Sequence, residues 1–217
     1  MKKILFLSFA LLMITYFSSC SSVTEVSGTW KKPATVAKRY SKICVLGASK
    51  DIVKRSTVEK AVVNQMALNG ITAVAGVNIL PDNFIDSDNN GKVDNENKEA
   101  LAAKLKEAGV DGIFLITLQD VKKSEQYVPG TTVYAPYSGM YPFYNNYWGS
   151  YNMVNTPGYY VQNTNYFLSS NFYDMSTEQL VWSAQSQTFN PNSLSDFSSS
   201  FASSVVQEFV ESGVIKK

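Results

Sequence analysis

The segment DSDNNGKVDNEN, residues 86–97, has the ligand spacing of a calcium loop. Asp86, Asp88, Asn90 and Asp94 stand at the first, third, fifth and ninth places of a twelve-residue EF-hand-type loop, with Gly91 at the sharp turn and Lys92 offering a backbone carbonyl at the seventh. The twelfth place requires a bidentate glutamate. Asn97 stands there instead, one charge and one oxygen short, and the preceding ILPDNFI lacks the helix of a true EF-hand. The plainer reading is preferred: a polar loop whose Asp and Asn side chains favour turns and cap the helix that follows.

A second group, LGASKD, closes an apolar run at residues 46–51. Gly47, Ser49, Lys50 and Arg55 could hold an anion near a helix start, in the place where open α/β sheets bind ligands. The Gly-Lys-Ser/Thr ending of a P-loop is missing, so a solvated loop is the stronger reading. Cys44 lies inside KICVLG and reads as a small buried hydrophobe. The sequence contains no histidine, which removes Ser-His-Asp and Cys-His catalysis and histidine-ligated zinc. No pair of acids is placed for general acid/base work, and the expectation is a protein that is not an enzyme. Calcium is the one cofactor the sequence offers.

A third group is aromatic. Residues 127–166 are rich in tyrosine, with Phe143, Trp148 and many Gly, Pro and Asn, and they keep neither a helical nor a strand period. Tyr141, Tyr144, Tyr147 and Trp148 are the candidate contact residues of a protein or glycan recognition surface. A spacer or self-packed flap is the competing reading.

The amino terminus carries an address. Lys2 and Lys3 precede an apolar run from Ile4 to Ile14, and ITYFSSC then ends at Cys20 in lipobox position. This is the pattern of a bacterial lipoprotein signal, residues 1–19, cut before a cysteine whose thiol is acylated. The apolar run is shorter than the roughly 20 residues of a membrane helix. Serines after Cys20 suggest the outer membrane with the domain facing the periplasm. Removing residues 1–19 takes away Lys2 and Lys3, which leaves 17 basic against 18 acidic residues and makes nucleic acid an unsuitable partner.

The elements that must position these residues follow from hydrophobic period. Residues 20–40 read as a tether in which Trp30 packs on the domain edge, and 41–217 as one α/β domain. KICVLGA is a buried strand. Ser56 and Glu59 form a capping box for a helix with Val58, Val62 and Met66 on one face, stopped at Asn69-Gly70. ITAVAGVNIL is a second strand. A helix from about Glu96 buries Leu101, Leu105 and Ala108 and ends at Gly109, and VDGIFLITL is a third strand. This order implies parallel pairing through right-handed crossovers. After an insertion at about 127–160, NYFLSSNFYD and EQLVWSAQSQTF form an antiparallel hairpin. A last helix repeats Phe197, Phe201, Val205 and Phe209 on its core side, with serines on the opposite side. The predicted fold is α/β: a small mixed sheet from a βαβαβ half plus a C-terminal hairpin and closing helix.

The lipobox, short tether, βαβαβ core, Tyr-rich insertion and YDMSTEQLVWSAQS together resemble DUF4136-like bacterial outer-membrane lipoproteins. More distantly the chain is similar to the α/β domains of the curli-secretion lipoprotein, the TolB amino-terminal domain and penicillin-binding-protein activator lipoproteins. The resemblance implies a non-enzymatic envelope protein that works by binding or assembly with an envelope protein or glycan. A subunit of an outer-membrane secretion or structural oligomer is the alternative.

The loop at 86–97 generates a test. A calcium site lacking its bidentate ligand should bind with a Kd of about 10⁻⁴ to 10⁻³ M and raise the melting temperature in millimolar calcium. Calorimetric titration that gives no heat and no shift in melting leaves the segment as a helix-capping loop.

Overall fold

In the computed structural model, which describes residues 23–80, 95–130 and 157–216, the elements follow in order. They are strand β1 (Val23–Lys31), β2 (Ile43–Ala48), helix α1 (Ile52–Leu68), β3 (Ala73–Ala75), a 3-10 turn (Gly76–Asn78), α2 (Asn95–Glu107), β4 (Gly112–Val128), β5 (Tyr159–Asp174), β6 (Gln179–Phe189) and α3 (Leu194–Glu211). The strands make one mixed sheet in the order β1-β6-β5-β4-β2-β3. β2 runs parallel to both β3 and β4, and the other pairings are antiparallel. This is the α/β fold expected from the sequence.

α1 and α3 lie side by side on one face. α1 turns Val58, Val62 and Met66 inward, and α3 turns Phe197, Phe201, Val205 and Phe209 inward, each at helical spacing. They cover Ile43, Val45, Phe114, Phe172 and Trp182 of the sheet. Phe209 sits at the centre, with ring centroids 5.3 Å from Phe114, 4.8 Å from Phe172 and 5.0 Å from Trp182. α2 packs on the other face, where Leu105 and Val110 meet Cys44. Among the described residues no helix covers that face over β5, β6 and β1, where Asn171, Ser183 and Gln185 lie and Trp30 is 46% exposed.

Four local expectations are corrected. Residues 23–31, read as tether, form the edge strand β1. Thr24 is buried there, its hydroxyl 2.8 Å from that of Thr188, its N–H donated to Ser200 Oγ and its carbonyl accepting from Ser204 Oγ. Part of the serine side of α3 therefore grips β1 instead of facing water. The cap of α1 is Asp51, whose carboxylate accepts from the N–H groups of Val53 and Lys54, so Ser56 lies inside the helix and forms no capping box with Glu59. The second predicted strand is reduced to Ala73–Ala75 because the chain turns at Gly76. A side chain at Gly76 would collide with Leu46 and crowd the Val45 carbonyl.

The fourth correction concerns β4, which does not stop at Leu118. It loses β2 as a partner after Thr117, passes a bulge between Leu118 and Asp120, and continues along β5; once β6 ends opposite Asn165, residues 123–128 and 159–164 run on as a two-stranded ribbon to the pair Val128–Tyr159. Gln119–Tyr127 are exposed on both faces of that continuation, so the alternation that marks a half-buried strand is absent from their sequence.

The connection from β1 to β2 is latched by Asp174 at the end of β5. Burial alone would raise its pKa, but it accepts from Lys38 Nζ (2.8 Å), from the hydroxyl and N–H of Ser176 and from the Tyr40 hydroxyl (3.1 Å), which hold it at about 2. A depressed folded pKa means that this stabilisation is complete above the ordinary carboxyl value of about 3.9 and lost as pH falls through about 2. Asp174→Asn should therefore lower the melting temperature at pH 7, and the gap to the parent should shrink below pH 4 and close near pH 2. Melts recorded between those limits check this.

Candidate functional site

β2 and β6 end at the same end of the sheet, so α1 and α3, which follow them, also start there and run back together. Between the two helix starts lies a groove of about 370 Å³. Its floor is the sheet, with Ile116 and Leu118 from β4 and Tyr166 and Leu168 from β5. Val58 of α1 forms one wall, and Leu194 and Phe197 of α3 form the other. The Tyr166 ring meets Phe197 at 5.3 Å. Ser49, Lys54 and Arg55 on one side and Ser193 on the other bring polar and charged groups to the lining, and Gly47, Ala48 and Pro191 complete it. The volume falls in the range of small-molecule sites, about 300–1,000 Å³.

The α1 wall is set by one ion pair. Arg55 donates from Nε to Glu59 Oε1 at 2.8 Å, one helical turn apart, with both side chains buried. The same oxygen accepts the Gly47 N–H at 2.9 Å, and Oε2 accepts the Val77 N–H at 2.7 Å. Gly47 brings the end of β2 up to this carboxylate, since a Cβ there would pack against Arg55 and Glu59.

This arrangement decides the second sequence candidate. Gly47, Ser49 and Arg55 do come together at the groove, and Lys50 stands next to them in the β2–α1 connection. Negative charge already occupies the place expected for an anion, however. Glu59 takes Arg55, and Asp51 takes the helix N–H groups and pairs with Lys54 Nζ at 3.1 Å. The backbone and side-chain bonds from Lys54 lead the causes that lower the Asp51 pKa, so it remains a carboxylate at the helix start. What remains is an apolar groove with polar groups in its lining.

Cys44 lies on the opposite face, fully buried, and burial, followed by the charge of Glu59, pushes its thiol up to about 12. It is an inert core residue, as its apolar surroundings in the sequence implied. Cys20, Asp86, Asp88, Asn90, Lys92, Asp94, Tyr141, Tyr144, Tyr147 and Trp148 lie outside the described residues, and Asn97 belongs to the first turn of α2. Among the described residues no three His, Cys, Asp or Glu side chains come together as a metal site. No helix among them is long and apolar enough to cross a membrane.

The groove itself was not legible in the sequence. Phe197 reads as a core residue, while the cavity arises where the ends of four elements meet. Leu194 extends the apolar stripe of α3 almost a turn ahead of Phe197 and packs partly buried against the core at the groove.

No protein-family model matches the chain, and no curated protein matches it. Similar solved structures include a PelC dodecamer from Paraburkholderia phytofirmans, 10% identical over 90% of this chain and 100% of that one, with a TM-score of 0.46. A point variant of the PelC dodecamer from the same organism is 9% identical over 88% and 100% of the two chains, with a TM-score of 0.44. Lipoprotein GNA1162 from Neisseria meningitidis is 15% identical over 78% and 98%, with a TM-score of 0.39.

The buried pair predicts an asymmetric mutational response. Arg55→Met strands the Glu59 carboxylate in the interior and should cost about 3–5 kcal/mol. Lys60→Ala, on the exposed side of the same helix, should cost less than about 0.5 kcal/mol. Urea denaturation of the two variants measures the difference.

Proposed function

We propose that this chain is a non-enzymatic lipoprotein of the bacterial envelope, anchored to the outer membrane through acylated Cys20 and acting on the periplasmic side as a binding or assembly factor. The observation that carries the reading is the groove between the starts of α1 and α3. Its floor and walls are largely apolar, and the charged groups of α1 in its lining, Arg55 and Lys54, are engaged with Glu59 and Asp51. Such a surface holds a ligand chiefly by excluding water from it. The basic, apolar and Ser-Ser-Cys succession at the amino terminus supports the address.

A subunit role in an outer-membrane oligomer is the second reading, favoured by the ribbon. An isolated two-stranded ribbon is marginally stable in water, and among the described residues no strand pairs with its outer edges, to which another chain can add. With Lys122, Lys123, Ser124, Glu125 and Gln126 in succession, the ribbon lacks the apolar alternation of a membrane-spanning hairpin. Any such pairing takes place in water.

Replacing Cys20 by Ala should abolish fatty-acid labelling and release the protein from membranes. A variant that still labels and sediments like the parent overturns the anchor. A stable ring of detergent-extracted protein on sizing chromatography with light scattering favours the oligomer over the binding factor.

A further inference from the structure

We infer that the groove is the docking site of one acyl chain carried by the protein's own amino terminus. The inference rests on the reading of Cys20 as a lipidated cysteine and identifies what that lipid binds. Three observations point to this occupant.

The first is reach. β1 begins at Val23, so only Ser21 and Ser22 separate the anchored cysteine from an edge strand of the sheet. Thr24 pairs with Thr188, which pairs with Tyr166, and Tyr166 lines the groove. Two steps across neighbouring strands are about 10 Å. Four residues from Cys20 to Thr24 span at most ~14 Å. The start of a long acyl chain on Cys20 is thus held within its own length of the groove, and tethering sets an effective concentration in the millimolar range for short linkers.

The second is the lining. Ile116, Leu118, Leu168, Val58, Leu194 and Phe197 offer an apolar channel. The charged side chains that border this channel, Arg55 and Lys54, are paired with Glu59 and Asp51. A hydrocarbon chain fits that chemistry and an anion does not.

The third is the mouth. Large apolar side chains are exposed around the open end of the groove: Leu118 of its floor is 49% exposed, and Val121 of β4 and Ile52 of α1 are also exposed. They extend the apolar surface open to a chain that has entered the groove. Withdrawing one chain from the bilayer leaves the protein on fewer lipid chains, and single-chain attachment is only marginal and reversible. The groove would then set how firmly the protein is held.

The test uses the full-length protein made in bacteria fed a diazirine-bearing fatty acid, irradiated in its native membrane, digested and analysed by mass spectrometry. The expected result is a Cys20 peptide joined through its acyl chain to peptides containing Leu118, Tyr166 or Phe197. Leu118→Asp puts a charge at the half-exposed mouth, and Ala48→Phe fills the groove from an exposed position. Each should reduce those joined peptides roughly tenfold, as burial of hydrocarbon beside a charge or in an occupied space is lost, with Cys20 acylation and the melting temperature kept. An acylated Cys20 whose crosslinks avoid the groove overturns the inference. Groove peptides joined only to phospholipid chains overturn it as well. A Cys20 peptide without any acyl group overturns the anchor itself, and the inference with it.

Discussion

The buried carboxylate of Glu59 is the constraint on which the site-bearing half of the fold depends. It receives three donors from three places: Gly47 at the end of β2, Val77 in the turn after β3, and Arg55 one helical turn back on α1. Two of those donors are backbone N–H groups that have left the sheet ladder and would otherwise be buried without partners. The parallel strands β2 and β3 can therefore end at different heights and still have their ends satisfied. Breaking such a pair is costly because the remaining charge has nowhere to go, whereas its net worth when intact is modest. Its main contribution is geometric, since it fixes where α1 starts and hence one wall of the groove.

The other wall comes from the antiparallel half, and the two halves are joined by an imbalance of cover. α1 and α3 fill one face of the sheet, but their first turns leave the top rows of β4 and β5 uncovered, so Leu118 and Tyr166 remain accessible. Beyond those rows β4 and β5 continue as a ribbon that no helix among the described residues covers. The bulge between Leu118 and Asp120 lies at the transition, just past the last residue of β4 paired with β2. Groove and ribbon thus have one origin: strands longer than the helices packed on them.

Elements with a single strong period were legible in the sequence. α3 shows its Phe197, Phe201, Val205 and Phe209 stripe, and β5 and β6 show their alternation up to Trp182. The parallel pairing of β2 with β3 and β4 followed from buried runs separated by helices. Misread elements were those whose environment does not vary with a period. The ribbon is wet on both sides, so Gln119–Tyr127 carry no alternation. β1 owes its place to hydroxyl contacts between Thr24, Thr188, Ser200 and Ser204, which hydrophobicity does not register. Glu59 was seen as half of a capping box because its spacing from Ser56 fits one, while its true partners are reached only through the fold. The groove was illegible for the same reason: no two of its walls are neighbours in sequence.

An edge strand creates a specific physical problem. The outward backbone groups of β1 are a template for adding another strand. The structure blunts this edge at both ends. Near Val23, α3 donates to and accepts from the backbone of Thr24, which removes that residue's groups from competition. Midway, the irregularity between Val26 and Gly28 breaks the register that a partner strand would need. At the far end Lys31 turns its ammonium to the carbonyls of Ser212 and Gly213 and places a charge on the edge. Among the described residues the outer edges of the ribbon are guarded by the charges of Asp120, Lys122, Lys123 and Glu125. β1 is built to remain single and β3, the other edge of the sheet, is only three residues long, so among the described residues the β4–β5 ribbon offers the longer edge for pairing.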